Sequence, residues 1–96
     1  MTGIPRDSAK LMVGSGWSKL VDKIYDRLPP QAVVTQVKEK WGGLRVYTAN
    51  TDETIWDFID SIEAESLTVC ENCGEPGKRR AGGWVKTLCD SCEEER

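Results

Sequence analysis

Residues 70–92 read CENCGEPGKRRAGGWVKTLCDSC, and this stretch holds all four cysteines of the 96-residue chain as two Cys-x-x-Cys pairs with fifteen residues between them. A tetrahedral zinc site needs four soft or borderline ligands converging from two directions, and two residues between paired cysteines let one tight turn aim both sulfurs at one ion. Gly74 directly after Cys73 fits such a turn, because glycine tolerates a positive φ. Between the pairs, a charged run, Gly82-Gly83 and then Trp84 to Leu88 have the length to double back as a hairpin and return Cys89 and Cys92 to Cys70 and Cys73. The expected cofactor is therefore one structural Zn²⁺ per chain, with no open coordination position for water or substrate. The rival reading is a redox dithiol or a pair of disulfides. Redox motifs come singly on a larger α/β scaffold, so the paired spacing favours metal.

A chain this short buries little apolar surface, which makes a metal staple physically useful. No long apolar run follows a basic start in residues 1–14, and no stretch approaches membrane-spanning length. The expectation is a cytoplasmic protein without a membrane partner, in a reducing compartment where thiolates outlast disulfides. The formal net charge of −3 hides an asymmetry. Residues 1–50 carry eight bases against four acids, residues 51–69 six acids and no base, and residues 70–96 five bases against six acids. The pI near 4.9 argues against a general nucleic-acid coat, whose footprint is a basic field. Local basic patches remain open.

Upstream of the cysteines the apolar pattern changes period twice. Residues 1–7 read as a loose start, and Ser8 to Val13 as a short helical turn before Gly14-Ser15-Gly16. From Trp17 the apolar positions Leu20, Val21, Ile24, Tyr25 and Leu28 recur at helical spacing until Pro29-Pro30 stops the helix. In residues 32–49 the period becomes two. Val33, Thr35 and Val37 alternate with Val34, Gln36 and Lys38, Lys40-Trp41-Gly42-Gly43 supplies turn residues, and Leu44, Val46 and Thr48 alternate with Arg45 and Tyr47, predicting a β-hairpin. Asn50-Thr51-Asp52 then offers caps for a helix to about Ser66 with Ile55, Phe58, Ile59 and Ile62 on its buried face. In the cysteine-rich part, Lys78-Arg79-Arg80 and Trp84 to Leu88 read as short strands joined by Ala81-Gly82-Gly83, and Cys89 to Glu95 as a short helix. The predicted fold class is α+β: a helix, hairpin and helix layer in residues 1–69 with a zinc module in residues 70–96 docked on it. Knuckle, hairpin and helix-borne ligand pair suit a treble clef better than a zinc ribbon.

The stretch QVKEKWGGLRVY at residues 36–47, with Gly16-Trp17 and the run from Ser66 through CENCGEPG to TLCDSC, resembles a family of small proteins of bacteriophages and prophages. Their pattern runs from a Gly-Trp helix through a QVKEK-[FW]-GGLR-[VF]-Y hairpin to a CE-x-CG…GW…TLCD segment, and the resemblance spans Gly16 to Cys92. In that family the last ligand position can be histidine where this chain has Cys92, and both bind zinc. The resemblance implies a phage context in a bacterial host and no established activity.

Two surfaces are candidates for partners. Lys38, Lys40, Trp41 and Arg45 around the hairpin turn, with Lys78, Arg79, Arg80 and Trp84 on the cysteine-rich part, form a possible basic and aromatic surface for a nucleic acid. The plainer reading has solvated lysines and tryptophans spent on packing. The acidic helix, with Asp57, Asp60 and Glu63, has the charge to imitate a phosphate run and occupy a host nucleic-acid-handling protein, against a plain solvated face. Catalytic groups are wanting: the chain has no histidine, its cysteines are committed to metal, and no Ser or Thr sits in a nucleophile context. The sequence thus points to a non-enzymatic binding protein with a host or phage protein as partner, a nucleic acid as the alternative, and no small-molecule substrate.

Overall fold

The computed structural model describes residues 3–81 and 83–96. In chain order the elements are α1 (Arg6–Leu11), a 3-10 turn (Ser15–Trp17), α2 (Ser18–Arg27), β1 (Val33–Lys40), β2 (Gly43–Ala49), α3 (Glu53–Ser66), β3 (Lys78–Arg80), β4 (Lys86–Leu88) and α4 (Asp90–Glu94). This is a small α+β arrangement of two antiparallel hairpins, β1–β2 and β3–β4, with four short helices. Among the described residues no helix is long and apolar enough to cross a membrane.

One apolar cluster organises residues 9–62. The inner face of the β1–β2 hairpin contributes Val34, Val37, Leu44 and Val46; the helices contribute Ala9, Trp17, Leu20, Val21, Ile24, Ile55, Ile59 and Ile62. The helical stripes expected in α2 and α3 therefore do face a common core, with Tyr25, Leu28 and Phe58 at its margin. Asp52 caps α3, its side chain accepting from the Ile55 N–H at 3.2 Å.

Several local expectations need correction. The first helix starts at Arg6, two residues before the expected Ser8, and Trp17 lies in the 3-10 turn that leads into α2. The supposed loose start, whose Met1 and Thr2 lie outside the described residues, is pinned at Ile4. That residue donates its N–H to the Val34 carbonyl at 2.9 Å and accepts from the Tyr25 hydroxyl at 2.7 Å. In β1 the strict alternation fails. The register slips between Val34 and Gln36, leaving Thr35 as the extra residue of a bulge, so Val34 and Val37 are both buried although they are three apart. Strand β4 begins at Lys86, leaving Trp84 in the connection from β3. Of the expected Ala81-Gly82-Gly83 joint, Gly82 lies outside the described residues.

The hairpin turn is tighter than four residues. Lys40 pairs with Gly43, so Trp41 and Gly42 alone make the turn, with φ of 55° and 79°. Two consecutive positive φ angles are the signature of a type I′ turn, whose twist matches the flanking strands.

Candidate metal centre

The two cysteine pairs arrive from different kinds of backbone. Cys70 and Cys73 sit on a knuckle in which the Gly74 N–H donates to the Cys70 carbonyl at 2.9 Å and the Cys70 N–H to the Glu75 carbonyl at 2.8 Å. Gly74 has φ 85°, as the turn reading required. Cys89 is the N-cap of α4, and its sulfur accepts from the Cys92 N–H at 3.4 Å, which fixes the second pair on the first turn of that helix. The β3–β4 hairpin joins the two. Arg80 braces the joint: its Nε donates to the Leu88 carbonyl at 3.2 Å and its Nη2 to Asp90 at 2.7 Å.

The four sulfurs lie within 4.8 Å of one another, and those of Cys73 and Cys89 are 3.6 Å apart. A tetrahedron with metal–sulfur bonds of about 2.3 Å has edges of about 3.8 Å, whereas a disulfide needs about 2.05 Å. The spacing fits four ligands around one ion, and the donor set suits a soft or borderline metal. Protonation points the same way. Burial opposes ionisation of Cys70, yet backbone N–H groups of Cys89, Cys73 and Asn72 converge on its sulfur and draw the thiol down to about 6. Cys92 is pushed up to about 12, because its proton is held between the Cys89 and Cys70 sulfurs. One thiolate forms readily, and a cation bound among the four sulfurs would favour ionisation of the others.

The cysteine-rich module is seated on the rest of the chain by polar contacts. Glu71, between Cys70 and Cys73, is only 4% exposed. Its carboxylate accepts from Lys86 Nζ at 3.0 Å and from the Thr87 N–H at 3.1 Å, tying the knuckle to β4. Gly16 donates its N–H to the Glu71 carbonyl at 2.8 Å, and a Cβ there would overlap the Cys70 carbonyl oxygen. Its neighbour Trp17 is fully buried and donates Nε1–H to the Val69 carbonyl at 2.9 Å. On the other side, Thr87 Oγ1 donates to the Gly42 carbonyl at 2.5 Å, seating the hairpin turn on β4. The Gly-Trp pair and the turn are thus docking devices.

Three charged residues of the two candidate partner surfaces are engaged within the fold. Glu63 is not a free acid. It accepts from the Val46 N–H at 2.9 Å, lies 3.8 Å from Arg45, and burial holds its carboxyl above the ordinary value against that N–H and that guanidinium. Arg45 is correspondingly turned toward α3, its Nε buried without a partner among the described residues. Arg80 is the brace described above, with its side chain mostly buried. The reason is common to all three: each sits where a second element needs a charge to satisfy backbone or an opposite charge. Lys40, Lys78, Arg79, Asp57 and Asp60 are exposed, and Lys38 lies 5.9 Å from the centre of the Tyr47 ring. Trp41, Trp56 and Trp84 are 63%, 51% and 69% exposed, so only Trp17 serves the core.

Sequence reasoning missed Glu71, Thr87 and Ser66. Ser66 is buried in the last turn of α3 and accepts from the Leu44 N–H at 2.9 Å; with Glu63 it covers the outer edge of β2. An apolar helix stripe that ends on a serine is the one available hint. For Glu71 and Thr87 no local pattern distinguishes a buried strut from a surface residue. Comparisons with protein-family models, curated proteins and solved structures give no match.

Proposed function

We propose that the chain is a non-enzymatic accessory protein of bacteriophage type, stapled by one structural zinc in a treble-clef module, that acts in the host cytoplasm by binding a protein. The zinc reading is supported by four thiols at tetrahedral spacing, and the treble-clef reading by the order of knuckle, β3–β4 hairpin and helix-borne second pair. A four-thiolate site leaves no ligand position for substrate, so the ion would hold shape and supply no chemistry.

The observation that carries the binding role is a groove of about 250 Å³ between β2 and α3, lined by Tyr47, Trp56, Ile59, Asp60 and Glu63 among others. Half-exposed aromatics beside carboxylates, with Asp57 and Glu53 exposed on the same helix, suit a basic protein surface: the rings supply apolar anchors and the acids select the charge. A nucleic-acid-handling host protein presents such a surface. The test is capture from host lysate with the zinc-loaded chain. Trp56→Ala and the double reversal Asp57→Lys with Asp60→Lys should each lose the captured protein while keeping zinc and fold. A partner that binds both variants undiminished would reject this groove.

A further inference from the structure

Trp41 combines two costs that packing does not explain. As the first residue of a type I′ turn it holds φ 55°, a conformation that asparagine or glycine adopts far more easily than an aromatic residue, and its ring is 63% exposed. Strain at an exposed side chain points to use of that side chain. Trp84, 69% exposed, stands across from it. The two indoles, with Glu39, Lys40, Gly83 and Val85, line an open cleft of about 270 Å³ where the hairpin tip meets the β3–β4 module.

The cleft itself is lined by one acid and one base, Glu39 and Lys40, with further cations on the strands beside it. Its one acid, Glu39, turns its carboxylate back to the Gly42 N–H at 2.7 Å. Among the described residues, the cations that make no ion pair are Lys19, Arg27, Lys38, Lys40, Lys78 and Arg79. Four of these six lie on the two hairpins that meet here, Lys38, Lys40 and Arg79 among them, while the fourth, Lys78, lines a separate hollow with Asp90. Lys38 and Lys40 share the outer face of β1, and Arg79 pairs in register with Thr87, the residue that bonds the turn.

We propose that this cleft is a stacking site for single-stranded nucleic acid, with bases on Trp41 and Trp84 and the phosphate chain along Lys38, Lys40 and Arg79. Exposed flat rings among unpaired cations are complementary to a ligand that repeats a π face and an anion, which a paired duplex does not offer because its faces are stacked internally. The proposal concerns a different surface from the acidic groove and stands or falls separately from it.

The test uses the full zinc-loaded chain and fluorescein-labelled oligonucleotides of about 20 nucleotides, oligo-dT, oligo-rU and a duplex, by anisotropy in graded salt. The single strands should bind more tightly than the duplex, quench tryptophan emission, and weaken with salt at a log–log slope of up to about −2 for three phosphate contacts. Trp41→Asn and Trp84→Ala should each weaken binding about tenfold. Trp41→Asn should keep or raise Tm, because asparagine relieves the turn, whereas a purely structural Trp41 would lower Tm and leave binding alone. Three results would overturn the proposal: no binding of either single strand at low salt, binding unchanged in both folded variants, or loss of a captured protein in these variants without any oligonucleotide binding by the parent chain.

Discussion

Residues 9–62 and residues 70–96 are held together by different physics. The first part gathers twelve buried apolar side chains from two strands, three α-helices and the 3-10 turn into one cluster. The second buries Cys70, Glu71, Thr87 and Leu88 among its described residues, of which two are polar. Burying an aliphatic side chain contributes about 1.5–3 kcal/mol, so twelve can offset much of the ordering cost of a small layer, while Leu88 alone cannot order a module. What stands in for a core there is a set of directed contacts: Glu71 to β4, Arg80 to Leu88 and Asp90, and the four cysteines. The difference teaches that one part should tolerate metal loss and resist cavity formation poorly, and the other the reverse.

The strongest way to break that contrast is to remove the proposed zinc. Chelation, or Cys70→Ser, should unfold residues 70–96 while the apolar part keeps its structure, since binding energies of about 10–16 kcal/mol are at stake in comparable zinc peptides. NMR should show Leu88 and Trp84 resonances collapsing while those of Ile24 and Ile59 persist. Unchanged Leu88 peaks in metal-free protein would show that the module holds itself. The converse variant is Ile24→Ala, which opens a cavity in the fully buried heart of the first part and should lower stability by about 2–5 kcal/mol with zinc stoichiometry intact. Denaturation and elemental analysis of the same sample decide it.

Glu71→Ala sharpens the comparison within the module. It leaves the Thr87 N–H without its carboxylate and the half-buried Lys86 without a partner, so a loss of about 3 kcal/mol is expected. The loss should show as weaker zinc retention in a competition with a chelator, which a defect confined to the apolar core would not produce.

The smallest effect is expected at Glu63, on the seam between β2 and α3. Burial raises its carboxyl above the ordinary 4.5, so its ionised form is disfavoured by folding. Its contribution is fully favourable below that ordinary value and is lost as pH rises through the folded value. Glu63→Gln keeps an acceptor for the Val46 N–H and removes the charge. Its Tm should therefore exceed that of the parent slightly at pH 7, with the gap closing toward pH 4. A gap that widens on acidification would mean that the Arg45 pairing outweighs burial.

How far these features were legible beforehand depends on how local they are. The metal pair spacing lies within a few residues of chain, and so do the stripes of α2 and α3, the Asp52 cap and the change of period that marks the hairpin. Each could be read from Cys70-x-x-Cys73, from Leu20, Val21 and Ile24, or from Val46 flanked by Arg45 and Tyr47. The bulge at Thr35 escaped because it depends on how β1 must bend to place Val34 and Val37 on one core. Trp41 and Trp84 can be read either as surface or as packing residues and nothing singles out Trp56, because composition counts tryptophans without saying which meet a neighbour; all three are exposed.

By itself, then, the sequence determined the α+β order of elements, the apolar faces of α2 and α3 and the four thiols that share one site, because spacing and period act through the few residues on either side. Only the tertiary structure decided which charges are free. It turned the half-exposed Arg45 toward α3, tied down Glu63 and Arg80, made Glu71 a buried strut, and brought the strained Trp41 across from Trp84. A charge is exposed or paired according to what a distant segment sets against it, and that neighbour is chosen by packing, not by position in the chain.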